Sequence, residues 1–222
     1  GDLMKIQKII SGFMSSYTLY DVLLLLHEMG SGKTCTSVGV IEKIKMEHKS
    51  GFTGALILAR GEGLLNNFMN ELIFKCTDGR YIPDNYDKLS ELEKVHRKKK
   101  AIKDFYKLET FETFAKEIKR STDDNLRKRY NNNVIVIDEV HNLRIQDKTS
   151  GLAIYEQFHR FLHVVQNCKI LLMSGTPMKD GPEEIASVMN LILPDTPEDQ
   201  LPTKENFIDE FMNDEGDGLI SV

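Results

Sequence analysis

The chain has no excess of basic residues, no long apolar run and no closely spaced cysteines, and each absence narrows what it can be. Its 222 residues carry 29 Lys and Arg against 34 Asp and Glu, a formal net charge of −5. A polyanionic partner would therefore be met by a local basic surface and not by the chain as a whole. No segment reaches the roughly 18 apolar residues of a membrane-spanning helix, and no positively charged start precedes a long apolar core. A membrane partner and a secretion signal are not expected. The three cysteines, Cys35, Cys76 and Cys168, lie far apart with no Cys-x-x-Cys spacing. That spacing argues against a metal site or disulfide framework and suits a reducing, cytoplasmic compartment, with Cys35 read as packing. No internal repeat is visible.

What is present is an alternation. Five short apolar stretches, Val22–Leu26, Ala55–Ala59, Asp104–Leu108, Val134–Ile137 and Ile170–Met173, are separated by helical patterns. This predicts an α/β fold, a central mostly parallel sheet covered by helices on both faces. Ligands of such sheets sit beyond the carboxyl ends of the strands.

Three polar sequences fall at those ends. The first strand empties into His27-Glu28-Met29-Gly30-Ser31-Gly32-Lys33-Thr34, ahead of a predicted helix from Cys35 to Lys45. Backbone amides of Gly30, Ser31 and Gly32 can turn around a polyphosphate at a helix N-terminus. Lys33 would reach the β/γ-phosphates and the Thr34 hydroxyl would bind Mg²⁺. His27 stands where the usual G-x-x-x-x-G-K-[ST] pattern has its first glycine. The fourth strand ends in Asp138-Glu139-Val140-His141. Asp138 is placed to complete a Mg²⁺ shell, and Glu139 to orient or deprotonate the attacking water. The fifth strand ends in Ser174-Gly175-Thr176-Pro177, whose hydroxyls can bond toward Asp138, Glu139 or His141 and sense the γ-phosphate.

In order and position these series resemble motifs I, II and III of superfamily 2 helicases and translocases, over essentially the whole chain. Asn67-Phe68-Met69-Asn70-Glu71-Leu72 is similar to the segment after motif Ia of Swi/Snf-type ATPases, and Thr176–Met178 with Glu183–Pro194 to the stretch after motif III. The His-Glu-Met-Gly and Asp-Glu-Val-His-Asn forms are also similar to ATPases of large cytoplasmic DNA viruses, such as the poxvirus nucleoside triphosphate phosphohydrolase and early transcription factor subunit. The resemblance implies a RecA-like lobe over residues 1–194 that uses ATP and Mg²⁺ and belongs to a nucleic-acid-dependent ATPase of viral transcription or genome handling. It also implies His141 in the nucleotide site and Gln7, in a segment like the glutamine motif, reading the adenine edge. Arg60-Gly61 and Thr110-Phe111-Glu112 map to motifs Ia and Ib, which would hold strand phosphates without reading bases. The expected partners are nucleic acid (DNA favoured over RNA), a second RecA-like lobe of the same protein, and transcription machinery. The expected location is the cytoplasm, including a viral factory or virion.

Charge is unevenly spread. Lys88 to Tyr130 holds 14 Lys/Arg against 8 Asp/Glu, a local +6, while Asp180 to Val222 holds 1 against 12, a local −11. The densest basic cluster, Lys94, Arg97, Lys98, Lys99 and Lys100, lies on a predicted helix from Leu89 to Ile102, within an insertion over about 77–103. Phosphate contact and a solvated face shared with Glu91 and Glu93 are both open readings. Residues 195–222 read as an acidic linker toward a missing second lobe, with a short helix at Phe207–Met212. The chain opens on Gly1 and carries no second phosphate motif after Pro177, so it reads as an excised fragment, weakly active or inactive alone. The rival reading is a nucleotide-gated scaffold in a transcription initiation complex.

Overall fold

The computed structural model describes residues 5–26, 32–47, 51–143, 153–176, 178 and 181–212. Strands β1 (Val22–Leu26), β2 (Gly54–Ala59), β4 (Asn133–Ile137) and β5 (Lys169–Ser174) fall within one residue of the apolar stretches. Uninterrupted apolar side chains make them so, because every residue of β2, β4 and β5 is buried. The third strand departs from expectation: β3 is Tyr106–Thr110, not Asp104–Leu108. The helix before it runs to Ile102, and the Phe105 N–H bonds the Ile102 carbonyl at 3.1 Å. Strand pairing therefore starts only at Tyr106, opposite Ala55. The five strands form one sheet, all pairs parallel, in the order β1-β5-β4-β2-β3.

Period-two alternation divides the sheet into two apolar faces. Helices α1 (Lys5–Phe13), α2 (Lys33–Met46), α3 (Glu62–Glu71) and α4 (Glu91–Ile102) belong to one side. There Val38, Ile41 and Ile44 pack with Phe68, Leu72, Ile57, Val136 and Leu171. Helices α5 (Phe111–Arg120), α6 (Asp123–Tyr130), α7 (Ile154–Val164) and α8 (Glu184–Asn190) cover the other. Their core is aromatic: the Phe114 ring meets Tyr130, Phe158 and Phe161 edge to face at 5.4, 5.8 and 4.8 Å.

Two buried charges tie elements together. Lys169, 2% exposed, donates to the Thr18 and Tyr20 carbonyls and to Asp21 at 2.8–2.9 Å, fixing the chain at the start of β1. Glu42 on α2 receives Arg80, Tyr81 and Tyr106, so the insertion is bolted to the helix that leaves the phosphate loop. The helix α4 starts at Glu91 and not Leu89 because Ser90 and Glu93 form a capping box. After α8, Gln200 bonds the carbonyls of Asn190, Leu193 and Pro194, and Leu201 pairs with the Asn190 side chain. The first residues of the expected linker are thus fastened to the lobe, ahead of α9 (Glu205–Phe211).

The cysteine reading is corrected. Cys35 and Cys76 form a disulfide, with Cα atoms 5.0 Å apart. The first turn of α2 lies beside the π-helical segment Leu72–Cys76 that continues α3, a proximity that sequence spacing does not reveal. Cys35 is accordingly half-buried and bonded, while Cys168 is a buried thiol. Reduction, or Cys76→Ser, opens a cross-link spanning 41 residues. It should cost about 2–4 kcal/mol of stability, seen as a lower urea midpoint. Equal midpoints with and without dithiothreitol would show that the bond does not stabilise the fold.

Candidate active site

Motifs I, II and III converge at the carboxyl edge of β1, β4 and β5. Gly30 and Ser31, expected to cradle phosphate, lie outside the described residues. Gly32 adopts the left-handed conformation (φ 83°) that lets the chain turn into α2, and its carbonyl accepts the Thr36 N–H at 3.0 Å. The same carbonyl receives the Thr36 hydroxyl at 3.1 Å and the side-chain amide of Gln7 at 3.2 Å. Gln7 is 4% exposed and so anchors α1 to the loop. Lys33 and Thr34 form the first turn of α2, both half-buried.

Lys33 reaches across to β4. Its Nζ lies 2.8 Å from Glu139 Oε1, with side chains only 10% and 19% exposed. The other carboxylate oxygen of Glu139 accepts the Gly175 N–H at 3.2 Å and lies 3.3 Å from His141 Nδ1. Ser174 Oγ stands 2.8 Å from the same His141 nitrogen and accepts the Thr176 N–H at 3.1 Å. Lys33, Glu139, His141, Ser174, Gly175 and Thr176 therefore form one polar network. Glu139 itself is in the left-handed region (φ 50°, ψ 53°), a costly conformation for a non-glycine residue.

The two acids are tuned apart. Burial raises the proton affinity of Glu139, but the Lys33 ammonium and the Gly175 amide outweigh it and hold the carboxyl below its usual range. Burial, with the neighbouring Glu139 charge, pushes Asp138 up to about 6, because Lys33 only partly offsets them. Asp138 is thus a desolvated carboxylate short of positive charge, with Lys33 as the cation that acts on it.

The expected nucleic-acid residues sit one strand (Arg60, Gly61) and two strands (Thr110) beyond β4. Arg60, at the end of β2, is exposed and donates to Asn142 Oδ1 at 3.1 Å. Gly61 caps α3 in extended backbone, with open space where a Cβ would stand. Thr110 closes β3, and its hydroxyl caps α5 by accepting the Thr113 N–H at 3.3 Å. Asn142, quoted from the sequence only as the end of Asp-Glu-Val-His-Asn and given no role there, is the polar partner that the structure adds.

A raised carboxyl pKa means that folding disfavours ionised Asp138, a cost absent below its unfolded value and complete above about 6. Asp138→Asn should therefore stabilise the ligand-free chain by about 1–3 kcal/mol at pH 8 and by nothing measurable at pH 3.5. Urea titrations at the two pH values check this, and an equal effect at both would refute the desolvation account.

Comparison with known proteins agrees with the fold. The family described as type III restriction enzyme, res subunit (ResIII), matches residues 6–179. A protein of Frog virus 3 (isolate Goorha) named for a helicase, 009L, is 45% identical over 190 residues, 85% of this chain and 20% of its own length. A second, named for helicase 087L in Invertebrate iridescent virus 3, is 44% identical over 203 residues, 87% of this chain and 20% of its own. A termination factor NPH-I homologue of African swine fever virus is 26% identical over 176 residues, 77% and 22% of the two chains. The Sulfolobus solfataricus SWI2/SNF2 ATPase core, solved with dsDNA, matches with a TM-score of 0.55 at 19% identity, over 86% of this chain and 36% of that one. At that identity the likeness speaks for the fold. The chain spans about a fifth of the length of its helicase-named viral relatives. With the family match running from the first helix past motif III, the chain belongs to the ResIII family, as a RecA-like lobe of the superfamily 2 helicase and translocase type.

Proposed function

We propose that this chain is the nucleotide-binding first lobe, residues 1–194, of a nucleic-acid-dependent ATPase that translocates on double-stranded DNA during viral transcription or genome handling. The observation that carries the reading is the Lys33–Glu139 contact at 2.8 Å. It supports the reading because Lys33, Glu139 and the Ser174–Thr176 turn share one hydrogen-bonded network. The viral sources of the relatives, the termination-factor name of one and the dsDNA complex of the Swi/Snf-type neighbour support the finer terms.

The donor set fits magnesium. Among the described residues no group of three or more His, Cys, Asp or Glu side chains is arranged to hold a metal. A site made of Thr34, Asp138 and the nucleotide's own phosphates needs no such group, and the charge-starved Asp138 is what a divalent cation would satisfy. Magnesium bound there would neutralise charge on the β- and γ-phosphates. Lys33 moves from Glu139 to the phosphates, Glu139 takes a proton from the attacking water, and the Gly175 amide and His141 keep its carboxylate aimed. A second lobe, joined through the acidic segment 195–222, would supply further cationic groups to the transferring phosphoryl. Arg60, Gly61 and Thr110 would bind strand phosphates without reading sequence.

In the full-length protein Lys33→Ala should abolish nucleotide binding while the lobe stays folded. Glu139→Gln should bind nucleotide yet lose roughly 10²- to 10⁴-fold in turnover. ATPase rates with single- and double-stranded DNA and RNA are the deciding measurement. A full-length protein whose turnover no nucleic acid stimulates would overturn the reading.

A further inference from the structure

Asn142 occupies a position that neither nucleotide nor nucleic-acid chemistry requires by itself. Its carboxamide is saturated in three directions. Oδ1 accepts from Arg60 Nη1 at 3.1 Å, Nδ2 donates to the Glu139 carbonyl at 3.0 Å, and Nδ2 lies 3.3 Å from His141 Nε2. The orientation is fixed by its partners. Reversed, the amide would set its oxygen against a carbonyl and its NH₂ against a guanidinium. An amide hydrogen directed at His141 Nε2 makes that nitrogen the acceptor and leaves the ring proton on Nδ1, facing Glu139 and Ser174. One side chain thus spans the exposed arginine at the end of β2, the backbone of the general-base candidate and the tautomer of its neighbour.

We infer that Asn142 is a positioning residue that transmits nucleic-acid occupancy at Arg60 to Glu139 and His141; this rests on the ATPase reading above. A phosphodiester offers Arg60 charge-assisted bonds stronger than the neutral amide oxygen provides. When a strand phosphate takes the guanidinium, Asn142 Oδ1 loses its donor and the amide is released to rotate. Its hold on the Glu139 carbonyl and on His141 then changes. The Glu139 backbone, already in the left-handed region, is poised to respond to a single lost bond. The link is short: Arg60, Asn142 and Glu139 are joined by two consecutive hydrogen bonds.

The test uses the full-length protein with separate readouts for binding and turnover. Fluorescence anisotropy on a labelled duplex gives nucleic-acid affinity, and ATPase assays give the ratio of saturated to basal rate. Asn142→Ala should leave duplex affinity within about twofold and lower the stimulation ratio about tenfold, near the 1.4 kcal/mol of one such hydrogen bond. Combining it with Arg60→Ala should lower the ratio no further than the stronger single change. Asn142→Asp keeps the acceptor for Arg60 but lacks both amide donors, and should fail to restore stimulation. A merely structural role would lower basal and stimulated rates together, leaving the ratio unchanged; that result, additive losses, or rescue by Asn142→Asp would overturn the relay. An unstimulated parent protein would instead remove the ATPase reading and the relay with it.

Discussion

All five strands run parallel, so every strand-to-helix turn on which the chemistry depends opens at the same edge of the sheet. Parallel order puts β5 between β1 and β4, which brings Lys33 at the start of α2, the acidic turn and the Ser-Gly-Thr turn together although Lys33 and Ser174 lie 141 positions apart in the chain. Apart from Lys169 and Ser174 at the two ends of β5, the central strands contribute burial. Their uniform apolar composition, with each residue of the central strands sealed between helix layers, holds the register that sets the turns. A one-residue slip in β4 would exchange its two faces and turn Asp138 and Glu139 away from Lys33.

Charge appears inside this frame only where it is satisfied. Lys169 spends its donors on two backbone carbonyls and one carboxylate, and Glu42 gathers a guanidinium and two phenols. Such groups contribute little net stability compared with apolar replacements, yet removing one partner strands the other in a low-dielectric interior. Lys169 locks the segment leading into β1, and Glu42 ties α2 to the insertion. The Cys35–Cys76 bond adds a covalent hold on the first turn of that helix.

How far the sequence could be read follows from which interactions are local. Val134–Ile137 announces itself because a buried parallel strand is apolar at every position, while Val22–Leu26 is as apolar but lies half-buried at the sheet edge, with Leu26 exposed. Tyr106–Thr110 did not, because at the sheet edge Lys107 and Glu109 remain half-exposed and the apolar signal fades. The identities of Lys33, Glu139 and Ser174 were legible from turn chemistry after a strand; their mutual contacts needed the fold. The disulfide was invisible for the same reason as Arg60–Asn142: both join residues from different crossovers, and neither leaves a spacing in the chain. Mid-helix Glu42 looks like any solvent-facing acid until Tyr81 of the insertion and Tyr106 of β3 close over it.

The apparent contradiction of the site is that its base candidate is weakened by its own surroundings. A carboxylate held below its ordinary range by Lys33 and the Gly175 amide is a poor proton acceptor. In the proposed cycle that weakness is conditional. The ammonium that suppresses Glu139 is the group a β/γ-phosphate attracts, so nucleotide entry removes the largest suppressing interaction and leaves burial, which pushes the other way. Asp138 behaves oppositely: its raised proton affinity falls once a cation reaches it. Binding the magnesium nucleotide would therefore move the two acids in opposite directions, Asp138 down and Glu139 up, with the Gly175 amide still opposing burial at Glu139. In that cycle proton uptake by Glu139 would wait on the phosphate that draws Lys33 away, so the base would strengthen only where there is a phosphoryl group to attack.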